Sequence, residues 1–144
     1  MLKNLSKKIK KNLPLAAKLR NSGMHDAILL SLMIDEPEKV TKHEAKNIIK
    51  QIDFRDLSDN FCSYILMNTS YILELVDEWI DSSKEMTKRC AYFLVQLLAK
   101  NNKELNDNYF AEFLESIERE ISYSKKWVKE AMLSSIISIG NRNK

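Results

Sequence analysis

Apolar side chains recur three and four positions apart along nearly the whole chain. One such run comprises Phe110, Phe113, Leu114, Ile117 and Ile121. This is the period of a helix that buries one side, and no sustained alternation of apolar and polar residues, the period of a strand, is present. The pattern therefore predicts an all-α protein. The predicted helices span 2–11, 14–22, 24–34, 41–52, 56–67, 70–81, 84–100, 107–122 and 125–139.

Start and stop signals lie near several of these predicted helix ends. Two hydroxyl residues stand three positions before a glutamate, which is the spacing of a capping box. These pairs are Thr41 with Glu44 and Ser82 with Glu85. Single N-caps are expected at Asn106 and Ser124, and helix stops at Pro37 and Gly140.

The segment 83–90 repeats 41 residues later as 124–131. A period near 40 with two helices per unit is typical of HEAT-like solenoids, in which antiparallel helix pairs stack and leave a concave surface for a partner. We expect one such domain over residues 1–144; the alternative is a helical bundle without true repeats. The aligned pairs are Ser83/Ser124, Lys84/Lys125, Met86/Trp127, Lys88/Lys129 and Cys90/Ala131.

The composition excludes several classes of protein. With two Gly and two Pro in 144 residues, the chain lacks the glycines of a Walker loop or a dinucleotide-binding fingerprint and the turns of a β-sandwich or barrel. Apolar residues make up 44%, which is enough for a core that needs neither disulfides nor metal. Cys62 and Cys90 have no C-x-x-C spacing, and we expect both to be buried free thiols in a reducing compartment.

Charge is uneven although the net charge is only +3. Seven basic residues and no acid precede His25, a distribution that favours a polyanionic partner or, alternatively, a solvated helix face. No apolar run reaches the length of a membrane span, and the N-terminus lacks the apolar segment of a signal peptide. The sequence predicts a cytoplasmic protein without membrane contact.

Metal and cofactor chemistry finds no support in the motifs. His43 and Glu44 begin like the zinc-protease motif H-E-x-x-H, but position 47 is Asn and the second ligand is missing. We expect no metal and no cofactor.

An ordered series of motifs resembles a known family. The segments GMHDA (23–27), IDEPEKVT (34–41) and DFRDLSD (53–59) are followed by KRCAYF (88–93), IERE (117–120) and the closing helix with IGNRN (139–143). Over residues 14–144 this order resembles the DNA alkylation repair family of HEAT-like glycosylases, the AlkD-like family. The order of several motifs is more specific than any single one.

The resemblance implies a helical solenoid whose concave basic face holds duplex DNA. It also implies hydrolytic excision of cationic alkylpurines such as 3-methyladenine and 7-methylguanine, without metal or cofactor. In such a reaction a carboxylate stabilises the oxocarbenium-like sugar and positions the water.

Compared residue by residue, some functional residues of the family are present in this sequence and others are replaced. The family's W-D-x-x-D segment falls on Arg55–Asp59, which makes Asp59 the catalytic carboxylate, and its phosphate-holding Arg falls on Arg89. The two family tryptophans fall on Arg55 and Ser134, and we expect the chain to lack the family's N-terminal helices. Basic residues expected to contact DNA phosphates are Arg55, Lys88, Arg89, Lys125, Lys126 and Lys129.

Two hypotheses fit these residues. The first is a protein of the alkylation repair type that binds duplex DNA, with weak or altered base-excision activity that depends on Asp59. The second is a noncatalytic HEAT-like scaffold for nucleic acid or protein, in which Arg55 and Asp59 form an ordinary i,i+4 ion pair. In the second case residues 1–12 would either supply the polar outer face that the first unit of a solenoid needs or form a homodimer through Leu2, Leu5 and Ile9.

Overall fold

The structure, a computed structural model, describes residues 2–143 apart from the side chains at positions 13 and 143. This part of the chain forms nine α-helices and contains no strand, which confirms the predicted all-α class. Each predicted helix is present, with ends that differ by up to three residues. The helices are α1 (Leu2–Ile9), α2 (Leu13–Asn21), α3 (His25–Ile34), α4 (Lys42–Ile49), α5 (Arg55–Tyr64), α6 (Ile72–Trp79), α7 (Glu85–Asn101), α8 (Asp107–Glu120) and α9 (Lys126–Gly140).

The chain divides into two compact units. Unit 1 is Met1–Ile72 and unit 2 is Leu73–Lys144. The boundary falls after the first residue of α6 and not in a segment rich in Gly or Pro, so composition gives no sign of it. The single domain expected over residues 1–144 stays a prediction.

Helix α3 is the centre of unit 1, where it packs against α1, α2 and α5. It is apolar on several sides because three neighbours cover it. From α1, Leu2 and Ile9 pack on the cluster of Ala16, Leu30 and Ile34. Two of the three apolar residues expected to form a homodimer are therefore used within unit 1, while Leu5 remains 41% exposed.

Helices α7 and α9 form the core of unit 2. Their residue contacts pair start with start and end with end, so the two helices are parallel. Near the middle, Ser135 Oγ donates to the carbonyl of Tyr92 at 2.8 Å, because a small side chain allows the backbones to approach. The helices begin at Glu85 and Lys126, 41 residues apart, as the repeat predicts.

Two of the predicted N-caps are confirmed. The hydroxyl of Thr41 accepts the N–H of Glu44 at 3.1 Å, and Asn106 Oδ1 accepts the N–H of Asn108 at 2.6 Å. Each bond satisfies one of the N–H groups that a helix start leaves without an intrahelical partner. Helix α9 ends at Gly140, the predicted stop.

The two serine caps expected for α7 and α9 are wrong. The residue that precedes α7 is Lys84, and Ser82 accepts the N–H of Lys84 at 3.1 Å instead. Ser124 donates to the carbonyl of Glu120 at 2.7 Å, because a short 3₁₀ turn over Ile121–Tyr123 intervenes before α9. Both helices thus begin later than the capping spacing predicts.

Cys62 and Cys90 are buried thiols, as expected from their spacing. Among residues 2–143, no helix combines the length and the apolar character that crossing a bilayer requires.

Candidate functional site

In unit 1, the expected catalytic residue lies on α5. Leu57 and Phe61 bury one side of this helix. Arg55 is exposed at its first position, and Asp59, one turn later, is partly buried. The N-cap residue Phe54 offers no side-chain hydrogen bond to the helix start.

The starts of α3 and α5 meet beside these residues. Nε2 of His25 lies 3.2 Å from Oδ2 of Asp56, and the His25 ring meets the Phe54 ring edge-on at 5.9 Å between centroids. Both contacts join residues about thirty positions apart. Helical spacing alone gives no sign of these contacts, although all three residues fall within segments that resemble the family.

A buried ion pair lies behind this end of unit 1. Arg20 pairs with the fully buried carboxylate of Asp35, whose Oδ1 also accepts the N–H of Glu36 at 3.0 Å. Its two members lie on different elements, 15 residues apart, so helical spacing gives no sign of the pair. The pairing neutralises both charges, so neither side chain adds a net charge to the nearby surface.

In unit 2, two of the expected DNA contacts are engaged with carboxylates. Lys88 Nζ lies 3.2 Å from Glu120 Oε1. Arg89 is only 3% exposed; its Nη1 lies 3.0 Å from Glu130 Oε1 and donates to the carbonyl of Trp127 at 2.8 Å. Arg89 is thus a structural connection between α7 and α9, and its contact with a DNA phosphate stays a prediction.

The remaining lysines lie at the start of α9. Lys125 and Lys126 are exposed and Lys129 is partly buried, and Lys126 Nζ lies 4.6 Å from the centroid of the Trp127 ring. No acid stands in the first turn, and the N-cap Lys125 makes no side-chain cap. A helix start carries partial positive charge, which repels the ammonium groups of these lysines. Binding of an anion there would therefore be favourable.

A small depression of about 150 Å³ lies where α7 and α9 begin. Its one acid, Glu85, accepts the backbone N–H of Trp127 at 3.1 Å, so this carboxylate serves the start of α9. Hydroxyl and ammonium groups dominate the rest. The lining residues are Ser82, Ser83, Glu85, Lys88, Tyr123, Ser124, Lys125 and Val128.

Arg142 has a structural role that the sequence analysis did not assign. Its guanidinium donates to the carbonyls of Ala99 at 3.1 Å and Asn102 at 2.9 Å, and to that of Leu105. It also lies 4.3 Å from the ring centroid of Phe110. Arg142 therefore satisfies carbonyls that the end of α7 leaves open. Its place in the family-like closing segment was the available signal.

The structure places the site residues in two groups. Arg55 and Asp59 lie in unit 1, and the other five basic residues lie around the starts of α7 and α9 in unit 2. Ser134, at a family tryptophan position, is a partly buried residue of α9. Over residues 2–143, no group of three His, Cys, Asp or Glu side chains has the arrangement of a metal site.

Comparison with known proteins gives one family and one solved structure of the same fold. The model of the family described as "DNA alkylation repair enzyme" matches residues 1–144. The solved structure is described as "A new family of proteins related to the HEAT-like repeat DNA glycosylases with affinity for branched DNA structures", and its TM-score is 0.88 at 24% identity. The match covers 96% of this chain and 60% of that one. No curated protein matches the sequence.

The structural similarity confirms the HEAT-like helical-repeat fold, and the alternative of a bundle without repeats is wrong. This chain spans 60% of the length of the similar structure.

Proposed function

Because the chain belongs to the DNA alkylation repair enzyme family, we propose that it binds duplex DNA, including duplexes that carry alkylated purines. The observation that carries this proposal is the family match over residues 1–144. A cytoplasmic location remains a prediction, as does a homodimer through α1, for which Leu5 is the remaining exposed apolar residue.

Phosphate contacts in this proposal come first from exposed cations. Arg55 in unit 1 and Lys125 and Lys126 in unit 2 are exposed, and Lys129 is partly so. The three lysines stand at or near a helix start without an acid in its first turn, where a phosphate would relieve the repulsion between like charges. Lys88 and Arg89 would reach a phosphate only by leaving Glu120 and Glu130.

Base excision, the finer part of the proposal, depends on Asp59. A carboxylate beside the sugar would stabilise the positive charge that develops as the N-glycosidic bond breaks, and it would orient the water that attacks the anomeric carbon. Arg55, one turn earlier on α5, lowers the negative potential offered to that charge. We therefore expect slow excision.

The test is release of 3-methyladenine and 7-methylguanine from methylated duplex DNA. Asp59→Asn keeps the shape of the side chain and removes its charge, and Glu38→Gln makes the same charge change on an exposed carboxylate of unit 1. The proposal expects release by the natural protein and by Glu38→Gln, with loss in Asp59→Asn. Equal release by Asp59→Asn would exclude Asp59 as the catalytic group.

A second candidate function is binding of branched DNA without excision. It is favoured by the description of the similar structure, whose proteins have affinity for branched DNA, and by Arg55 and Ser134 at the two tryptophan positions of the family. The measurement is affinity for a four-way junction and for a linear duplex of the same sequence. Tighter junction binding with no base release supports this candidate, and equal affinities contradict it.

A further inference from the structure

A cleft of about 510 Å³ opens in unit 1 between the starts of α3 and α5 and the end of α4. This volume lies within the range of small-molecule sites. Its floor includes the apolar side chains of Ile28 and Leu57, both buried in the core. The remaining lining is polar or aromatic, so the cleft has the mixed character of a ligand site.

An exposed aromatic ring forms one wall of the cleft. Phe54 is 46% exposed, and its ring contacts the His25 ring at 5.9 Å between centroids. Because Phe54 lines the cleft, its ring supplies exposed aromatic surface there. Every nucleobase has a π-face that stacks on such a ring, independently of sequence.

The polar groups of the cleft suit the edge of a base better than a phosphate. Gln51 is exposed and carries both a donor and an acceptor, the combination that pairs with base edges. Asp53, also in the lining, would repel a phosphate but accepts hydrogen bonds from exocyclic amino groups. Arg20, the cation of the lining, is paired with Asp35.

We infer that this cleft binds an unpaired nucleobase of DNA, stacked on Phe54 and contacted along its edge by Gln51 and Asp53. The inference rests on the proposed DNA binding. Arg55 follows Phe54 directly in the sequence and would hold a phosphate of the strand whose base stacks on Phe54. Phe54 thus supplies an aromatic face one residue before the position where the family has tryptophan. Bulges, junctions and strand ends provide such bases.

The experiment compares affinity for a duplex with one bulged adenine and for the same duplex fully paired, by fluorescence anisotropy. The natural protein should bind the bulged duplex about tenfold more tightly, the effect of stacking one base. Phe54→Ala should lose this preference and keep its affinity for paired duplex. Phe54→Trp should retain the preference.

Two further variants keep the inference open to refutation. Met67→Ala, a matched truncation of another exposed apolar residue of unit 1, should retain the preference. Gln51→Ala, on an exposed side chain, should reduce it even where Phe54→Ala lowers stability. Equal affinity of the natural protein for both duplexes, or an undiminished preference in folded Phe54→Ala, overturns the inference while DNA binding stands. Absence of binding to either duplex overturns both proposals.

Discussion

Arg89 Nη1 and Glu130 Oε1 lie 3.0 Å apart, across the contact between α7 and α9. The arginine side chain is 4% exposed and the glutamate side chain 44% exposed, so the cation is buried and its partner reaches solvent. A buried cation without a partner is costly. Arg89 also donates to the carbonyl of Trp127. The ion pair is therefore part of what holds unit 2 together.

Replacing Arg89 should destabilise the protein more than it changes any surface property. We expect Arg89→Leu to lower the free energy of unfolding by about 2 kcal/mol, less than for a fully buried pair because Glu130 is half exposed. Lys125→Leu, at an exposed position, should change it by less than about 0.5 kcal/mol. Urea unfolding measures both. Equal stability of the two variants would contradict the structural role of Arg89.

The Arg20–Asp35 pair in unit 1 gives a second stability prediction. Because Asp35 is fully buried, Arg20→Met leaves an uncompensated carboxylate and should cost about 3 kcal/mol. The double variant Arg20→Met with Asp35→Leu removes both charges and should recover at least half of that loss. Urea unfolding of the two single variants and the double variant tests this. Additive losses would show that the pairing of the charges is not what stabilises unit 1.

Local patterns predicted the helices well because each helix is specified by its own residues. The apolar period fixed the nine helices, and Thr41 and Asn106 act as caps since a cap needs only a neighbour two or three residues away. Ser82 and Ser124 have similar signals, but the following turns move the helix starts to Glu85 and Lys126. Such shifts of one or two residues depend on the contacts of the packed helices.

The long-range part of the site could not be predicted in the same way. Arg89 and Lys125 look alike in sequence as basic residues at helix starts, yet one is buried and the other exposed. The difference arises from Glu130 and Trp127, 41 and 38 residues from Arg89. The resemblance to a family identified the segment 88–93 but did not indicate that Arg89 within it is buried.

Tyr109 should make the protein less stable in alkali. Burial, with smaller contributions from Asp77 and Glu112, raises the pKa of its hydroxyl to about 12. The unfolded chain, with an ordinary pKa near 10, therefore loses this proton first. The contribution of Tyr109 to the free energy of unfolding is fully present below about pH 10. It is lost as the pH rises toward about 12, a decrease of about 1–2 kcal/mol.

Tyr109→Phe separates this contribution from other alkaline effects. Among the described residues the hydroxyl has no hydrogen-bond partner, so its removal should cost little at neutral pH. The variant should lose less stability between about pH 9 and about pH 11 than the natural protein, measured by urea unfolding. Tyr123→Phe, which removes the hydroxyl of a residue that is 73% exposed, is the matched control. An identical decline in all three proteins would contradict the prediction.

Replacing Lys126 with glutamate should raise the stability of the protein and weaken its binding to DNA. Lys126 occupies the first position of α9, where a cation opposes the helix dipole. Glu85 of α7 accepts the N–H of Trp127 there, but α9 has no acid of its own in its first turn. Lys126→Glu should therefore raise the free energy of unfolding by about 0.5 kcal/mol. If Lys126 contacts a phosphate, the same change should weaken duplex binding and reduce the slope of log affinity against log salt by about one.

The matched control for Lys126→Glu is Lys103→Glu, which makes the same charge change at an exposed loop position between α7 and α8. Because both variants alter net charge equally, long-range attraction falls alike in the two, and only loss of a direct phosphate contact separates them. Urea unfolding and anisotropy titrations over a range of salt give the two readouts. Higher stability with weaker binding in Lys126→Glu alone indicates that the start of α9 is shaped for an anion. Equal effects of the two variants on binding would remove Lys126 from the proposed phosphate contacts.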